Sequence, residues 1–391
     1  MLRYLNLYGL RGLRIVRGYG QYVWDINNRK YIDCHTGHGV AFLGHVNPRI
    51  VASIREQLEN IVTLSSSYDH YLREETASAL EKVTPRKYSY FYLLNSGSEA
   101  VDFALKVARK MTGRKKFLSF TGAFHGRTFG ALSVTWNPKY RRPFEPLLDA
   151  EFIKFNDVSA AESAITEDLA AVIVEPIQGE GGINPASNEF MKALREITEE
   201  RNVLLIVDEI QTGFGRTGKV WASDLYNVYG DIMLAGKAIG GGIPVSIAFL
   251  RDDIGNSISE GDHGSTFGGN LLAMAAVKAS VEVLLEENVP FKAETAGLRL
   301  MKGIKEICRD IKIVRDFRGA GLMIGVELRF DPKPVLEMLQ HSGILALKAG
   351  TTVVRFLPPY LINDNDIDLI ISALERCLSE ENARRANVGA S

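Results

Sequence analysis

The chain has 391 residues, a formal net charge of -1 and 46% hydrophobic residues, which allows a sizeable core and, on length alone, two or three domains. The near-neutral balance argues against bulk electrostatic nucleic-acid binding, and no uninterrupted apolar run is long enough to span a bilayer. The first residues lack the apolar core of a secretory signal, and the three cysteines are odd in number and far apart, so we expect a cytoplasmic protein without disulfides or a cysteine-rich zinc site.

In chain order, residues 20–33 read as a hairpin turning at Asn27-Asn28. Apolar runs at 90–94, 116–120, 171–174, 203–207, 232–235 and 246–250 read as strands, several too continuously apolar to keep a solvated face. That pattern predicts a largely parallel sheet covered by helices on both sides. Farther on, 291–310 reads as a long amphipathic helix, 321–327 and 353–357 as strands, 364–379 as the last helix and 380–391 as a polar, frayed end. The two chain ends, 1–45 and 276–391, are expected to pack together as a small domain beside a large one over 46–275.

Parallel sheets bind ligands beyond the carboxyl ends of their strands. The residues there are Asn95-Ser96-Gly97, Thr121 to His125, Glu175-Pro176, Asp208-Glu209 and Gly236-Lys237. Lys237, between an apolar run and a glycine cluster, is a candidate imine-forming nucleophile, because desolvation lowers an amine's proton affinity; by itself, though, a lysine after a strand is usually a solvated surface residue. Asn95-Ser96-Gly97-Ser98-Glu99-Ala100 opens a helix after a strand, which suits a phosphate or an ordinary serine cap. Asp208 ends a buried-looking strand, where a carboxylate needs either a cationic partner or a turn to cap. Phe124 and His125 place an aromatic face beside a strand end, for ring stacking or for the core.

These motifs, together with Leu43-Gly44-His45, Phe124-His125-Gly126-Arg127-Thr128, Glu175 to Gly182, Asp208 to Gly218 and Ser265 to Asn270, resemble the class III (subgroup II) aminotransferases that use pyridoxal 5'-phosphate. The resemblance runs almost end to end. It implies fold type I: a large domain with a mostly parallel seven-stranded sheet covered by helices, and a small α+β domain built from both chain ends. By the same resemblance, Lys237 would hold the cofactor aldehyde and later shuttle a proton, while Asp208 would keep the pyridine nitrogen protonated. Gln211 would reach the ring hydroxyl, with Phe124 and His125 at the ring. Ser96, Gly97 and Ser98 would surround the phosphate, helped by Thr266 from the neighbouring subunit of a homodimer with shared sites. Departures from the family are Ser98 in place of threonine, Leu271 in place of proline, and His38 where an aliphatic residue is common; His38 reads as a substrate contact or a structural histidine.

Arg355 would clamp the carboxylate of glutamate or 2-oxoglutarate, and Glu180 would mask it when the second substrate presents a terminal amine. Arg127 and Ser265 match positions that bind the far end of the amine in acetylornithine-type members; alternatively they are a solvated arginine and a loop serine. Within the family, the wording around Asn95, Ser133, Lys237 and 347–356 is most similar to the archaeal and Thermus-type LysW-lysine/ornithine aminotransferases of lysine and arginine biosynthesis. Their substrate is carried by a small acidic amino-group carrier protein. Lys139, Arg141 and Arg142 would then form a basic docking patch, or a plain solvated face. Competing readings are N-acetylornithine, ornithine or 4-aminobutyrate aminotransferase, glutamate-1-semialdehyde aminomutase and a catalytically dead binding protein. A remoter one is a phosphate-binding P-loop at Gly213 to Lys219, which has Val220 where a magnesium-holding hydroxyl is needed.

Overall fold

Buried runs of Val, Ile, Leu and Ala organise the molecule, whose computed structural model describes residues 2–309 and 311–388. The first three strands are β1 (Ile15–Tyr19), β2 (Tyr22–Asp25) and β3 (Lys30–Asp33). Next come β4 (Tyr88–Leu94), β5 (Lys116–Phe120), β6 (Ala150–Ile153), β7 (Leu169–Val174), the short pair β8 (Ile177–Gln178) and β9 (Asn184–Pro185), β10 (Leu204–Asp208), β11 (Ile232–Ala235) and β12 (Ser246–Arg251). The last five are β13 (Val314–Ala320), β14 (Met323–Leu328), β15 (Ile344–Leu345), β16 (Leu347–Ala349) and β17 (Val353–Phe356).

Seven strands form one sheet in the order β4-β12-β11-β10-β7-β5-β6, in which only β12 runs against its neighbours. Every residue of β7, β10 and β11 is buried, as expected for strands covered on both faces. The two-residue period sends Leu205 and Val207 against Phe190 and Leu194 of the helix Asn188–Glu200. Leu204 and Ile206 face the other way, towards Val101 and Ala104 of the helix Gly97–Thr112. Each such aliphatic side chain contributes about 1.5–3 kcal/mol, so the sheet is a firm base for whatever its strand ends carry.

The predicted strands appear with shifts of no more than two residues at either end. β6, the edge strand, has no counterpart among them: Ala150-Glu151-Phe152-Ile153 is only partly buried and carries a charge, so its apolar signal is weak. The helix expected at 291–310 spans Val289–Cys308, and its expected last residue, Asp310, lies outside the described residues. The last helix corrects the reading of a frayed 380–391, because it continues over Asp364–Val388. Buried Glu381 accepts hydrogen bonds from Arg384 and Arg385, and the Arg385 guanidinium lies over the Phe330 ring. Those contacts tie the extra turns down; 389–391 lie outside the described residues.

β15 pairs in parallel with β3, so the early hairpin and the late chain share one sheet. Arg216 joins further parts of the chain. It is buried, donates to the carbonyls of Leu322, Pro358 and Gly39, and lies 4.1 Å from the centre of the Phe42 ring. It forms no ion pair with a carboxylate among the described residues, and burial pulls its guanidinium down to about 9. Arg216→Met should therefore destabilise. Each carbonyl left without a donor costs about 1–3 kcal/mol, while relief from burying a charge offsets part of the loss. We expect a net loss of about 2–4 kcal/mol, read as a lower urea midpoint at unchanged slope. A midpoint equal to wild type would show that these contacts pin nothing.

Candidate active site

β4 ends at Leu94 and the chain turns directly into the helix Gly97–Thr112. The Ser96 hydroxyl accepts from the Glu99 N–H, and the Ser96 carbonyl accepts from Ala100. The hydroxyl caps the helix as an acceptor and keeps its own proton to donate. The N–H groups of Gly97 and Ser98 remain as the helix's unsatisfied donors. The Ser98 hydroxyl accepts from the Arg127 N–H at 3.2 Å, which leaves its own proton free to donate. A Cβ on Gly97 would lie 2.9 Å from Ile210 and would make that side chain shift, whereas Gly126, with φ 134 and a Cβ site 2.1 Å from the Ser98 hydroxyl, requires glycine.

Two further strand ends converge on this cradle. Asp208, at the end of β10, is buried; one oxygen accepts from the Ile210 N–H at 3.1 Å and the other meets His125 Nδ1 at 2.7 Å. His125 is also buried, its N–H donates to Thr135, and its Nε2 has no partner among the described residues. Lys237, just after β11, has φ 47, a left-handed conformation that costs a side-chain-bearing residue roughly 1–2 kcal/mol. It is half-buried and makes no ion pair among the described residues. Desolvation lowers its pKa, with the Arg355 charge adding to the effect against Glu180, Asp208 and Glu175.

Sequence reasoning placed Glu175 among the strand-end residues but gave it no role of its own. It is buried at the end of β7, accepts from the N–H groups of Phe124 and Gly179, and is pushed up to about 7 by burial, with the Asp208 charge adding to that. The signal that finds it is the one used for Asp208, a carboxylate closing a wholly apolar strand. Glu175 holds the half-buried Phe124 in place through its backbone.

Arg355, on β17, is buried, and its Nη1 meets Glu180 Oε1 at 2.7 Å and Gln211 Oε1 at 2.9 Å. Its Nε and Nη2 have no partner among the described residues. Burial would raise the Glu180 carboxyl, but Arg355, aided by His38, holds it well below the usual carboxylate range. His38 Nδ1 lies 3.8 Å from that same Glu180 oxygen.

Of the remaining expected residues, Arg127 and Ser265 border the cradle through Ser98 and Asn95. Arg127 is exposed, with its guanidinium 4.3 Å from the centre of the Tyr140 ring and 5.9 Å from those of Tyr8 and Phe124. Ser265 accepts from Asn95 Nδ2 and the Gly268 N–H, so its oxygen ties its loop to the turn before the cradle. Thr266, next to it, is exposed and makes no side-chain hydrogen bond among the described residues. Of the basic trio, Lys139 and Arg142 are exposed, whereas Arg141 lies 4.5 Å from the centre of the Phe152 ring. The Gly213 to Lys219 segment opens no helix at Lys219, which pairs instead with Glu294.

Free N–H groups at a helix start, a buried carboxylate and a desolvated lysine fit the phosphate, pyridine nitrogen and aldehyde of pyridoxal phosphate. The comparisons agree. Residues 9–378 match the family model for class-III aminotransferases. A [LysW]-aminoadipate semialdehyde/glutamate semialdehyde transaminase of Sulfolobus acidocaldarius is 57% identical over 94% of this chain and 95% of its own length. An acetylornithine aminotransferase of Methanopyrus kandleri is 41% identical, over 96% of each chain. Among solved structures, the ornithine aminotransferase of Toxoplasma gondii superposes with a TM-score of 0.93 at 32% identity, covering 97% of this chain and 93% of that one. The chain therefore belongs to the class-III aminotransferases, and it is a transaminase that works with pyridoxal 5'-phosphate.

Proposed function

We propose that this transaminase moves a terminal amino group between glutamate/2-oxoglutarate and a semialdehyde carried on a small acidic carrier protein of the LysW kind, in lysine and arginine biosynthesis. The observation that carries the two-substrate reading is Arg355. A buried guanidinium with Nε and Nη2 unpartnered among the described residues suits a carboxylate, and Glu180 on its Nη1 masks the charge when the partner brings only an amine. The carrier reading draws its support from the names of relatives such as that of Sulfolobus acidocaldarius. Exposed Arg127, Lys139 and Arg142 support it as well, since they offer positive charge to an acidic partner.

In the roles we assign, the bound cofactor supplies an aldehyde and an electron-withdrawing ring. Lys237 attaches it and moves the proton at the substrate carbon, Asp208 faces the ring nitrogen, and His125 orients Asp208. Gln211 reaches the ring hydroxyl, Phe124 lies on the ring, and Gly97 and Ser98 hold the phosphate with Thr266 of the partner subunit. The exposure of Thr266 in the single chain fits a homodimer with shared sites, and we assign the enzyme to the cytoplasm. Arg127 and Ser265 stand at the far end of the amine substrate. N-acetylornithine is the second reading, favoured by the relative from Methanopyrus kandleri.

Assaying carrier-bound lysine, carrier-bound ornithine and N-acetylornithine at matched concentrations separates the readings. We expect kcat/KM to favour a carrier-bound amine. That preference should fall about tenfold or more as salt rises from roughly 0.05 M to 0.5 M, while N-acetylornithine changes little. Preference for N-acetylornithine, or matching salt profiles, overturns the carrier reading.

A further inference from the structure

Substrate exchange at Arg355 leaves one carboxylate to be accommodated. When the carboxylate of glutamate takes Arg355, the Glu180 side chain must move off a guanidinium on which it rests at 2.7 Å. A carboxylate released from a buried cation needs another partner or full hydration, because leaving it desolvated and unpaired costs more than the original contact returns.

We propose that His38 is the second seat of Glu180, a positioning residue that receives the carboxylate while glutamate occupies Arg355; the inference rests on the Glu180 gate assigned above. Glu180 Oε1 stands between two donors, Arg355 Nη1 at 2.7 Å and His38 Nδ1 at 3.8 Å. A shift of about 1 Å converts the second contact into a charge-assisted hydrogen bond. The backbone is built to present this ring: Gly37 and His38 both take left-handed conformations, φ 59 and φ 60, and the His38 N–H is tied to His35 Nδ1 at 3.3 Å. The His35 ring stands edge-on to that of His38 with centres 4.7 Å apart, and Tyr8 lies beyond at 6.2 Å. The His38 side chain is 44% exposed against 28% for Glu180 and 0% for Arg355, so the seat lies on the outward path.

The other cation near Glu180 is Lys237, whose amine burial holds below its ordinary value while the Glu180 charge works against that lowering. A carboxylate resting there would hold the nucleophile protonated. His38 keeps the displaced group away from it.

Two variants test the seat without asking a bulky branched residue to adopt φ 60. His38→Leu removes the donor. His38→Asn retains a donor near the place of Nδ1, and asparagine tolerates the left-handed conformation. Binding of the unreactive dicarboxylate glutarate to the holoenzyme is measured by calorimetry, and the two half-reactions are followed in single turnovers with glutamate and with the preferred terminal amine. We expect His38→Leu to weaken glutarate and slow the glutamate half-reaction about tenfold, to leave the terminal-amine half-reaction within about twofold, and His38→Asn to recover most of the loss.

Glu180→Ala supplies the control. It should lose the terminal-amine half-reaction selectively and bind glutarate at least as tightly as wild type, and His38→Leu should have no further effect on glutarate in that background. Equal loss of both half-reactions in Glu180→Ala overturns the gate and the seat with it. A selective Glu180→Ala beside a His38→Leu that is silent, or that loses both half-reactions equally, overturns the seat alone.

Discussion

Lys237→Ala is expected to abolish amino transfer, with a loss of at least about 10⁴ in single-turnover rate in both directions. Removing a positioned general base alone costs about 10²–10⁴-fold, and here the same amine is assigned the covalent hold on the cofactor. The fold should survive, because Lys237 makes no ion pair among the described residues and lies at a strand end. Its titration supplies a second readout, taken on the apoenzyme where the amine is free. Burial sets the folded pKa below the ordinary lysine value, so between the two values the unfolded state holds the proton more often, and wild-type stability rises with pH across that window. The Ala variant lacks this slope. It should melt higher than wild type at neutral pH, by a margin that shrinks towards the ordinary lysine range. A constant margin would mean that Lys237 is not desolvated, and retained turnover would mean that it is not the base.

Residues differ in how far their roles were legible, and the difference follows the kind of force involved. β7, β10 and β11 were readable because a strand covered on both faces must be apolar at every position. β6 was not, because a half-covered edge carries Glu151 and loses the signal. Asp208 stood out as a carboxylate closing such a strand, and Glu175 satisfies the same criterion without having drawn the same attention. Arg216 was hidden for another reason. Its three carbonyl partners, at Gly39, Leu322 and Pro358, are up to 177 positions away, and main-chain acceptors leave no trace in residue types. Ser96 shows that a motif can serve two ends at once: its hydroxyl accepts from the Glu99 N–H as a helix cap and still has a proton to donate. The Glu180 and Arg355 pair was visible only through family resemblance, since 175 positions separate two residues whose charges could have found partners anywhere.

Asp208→Asn is the variant that best separates charge from shape in this site. Both Asp208 oxygens accept hydrogen bonds, one from the Ile210 N–H and one from His125. Asparagine has a single oxygen, so one donor is left facing an amide NH2 unless His125 exchanges its proton from Nδ1 to Nε2. That exchange is open to it, because Nε2 is buried without a partner among the described residues. The packing can thus be preserved while the negative charge opposite the cofactor's ring nitrogen is lost. Removing one preorganised electrostatic partner of a reacting group costs about 2.7–4 kcal/mol, which corresponds to roughly 10²–10³-fold in rate at 1.36 kcal/mol per decade. We expect a loss of that size in both half-reactions alike, since the ring is common to them, in contrast to the one-sided loss expected for Glu180→Ala. The melting temperature should move little, and the imidazole nitrogen resonances of His125 should report the exchanged proton. A one-sided kinetic loss would place Asp208 on a substrate instead of the ring. A large fall in stability with unaltered His125 resonances would mean that the buried pair serves mainly to hold β10 against the loop after β5.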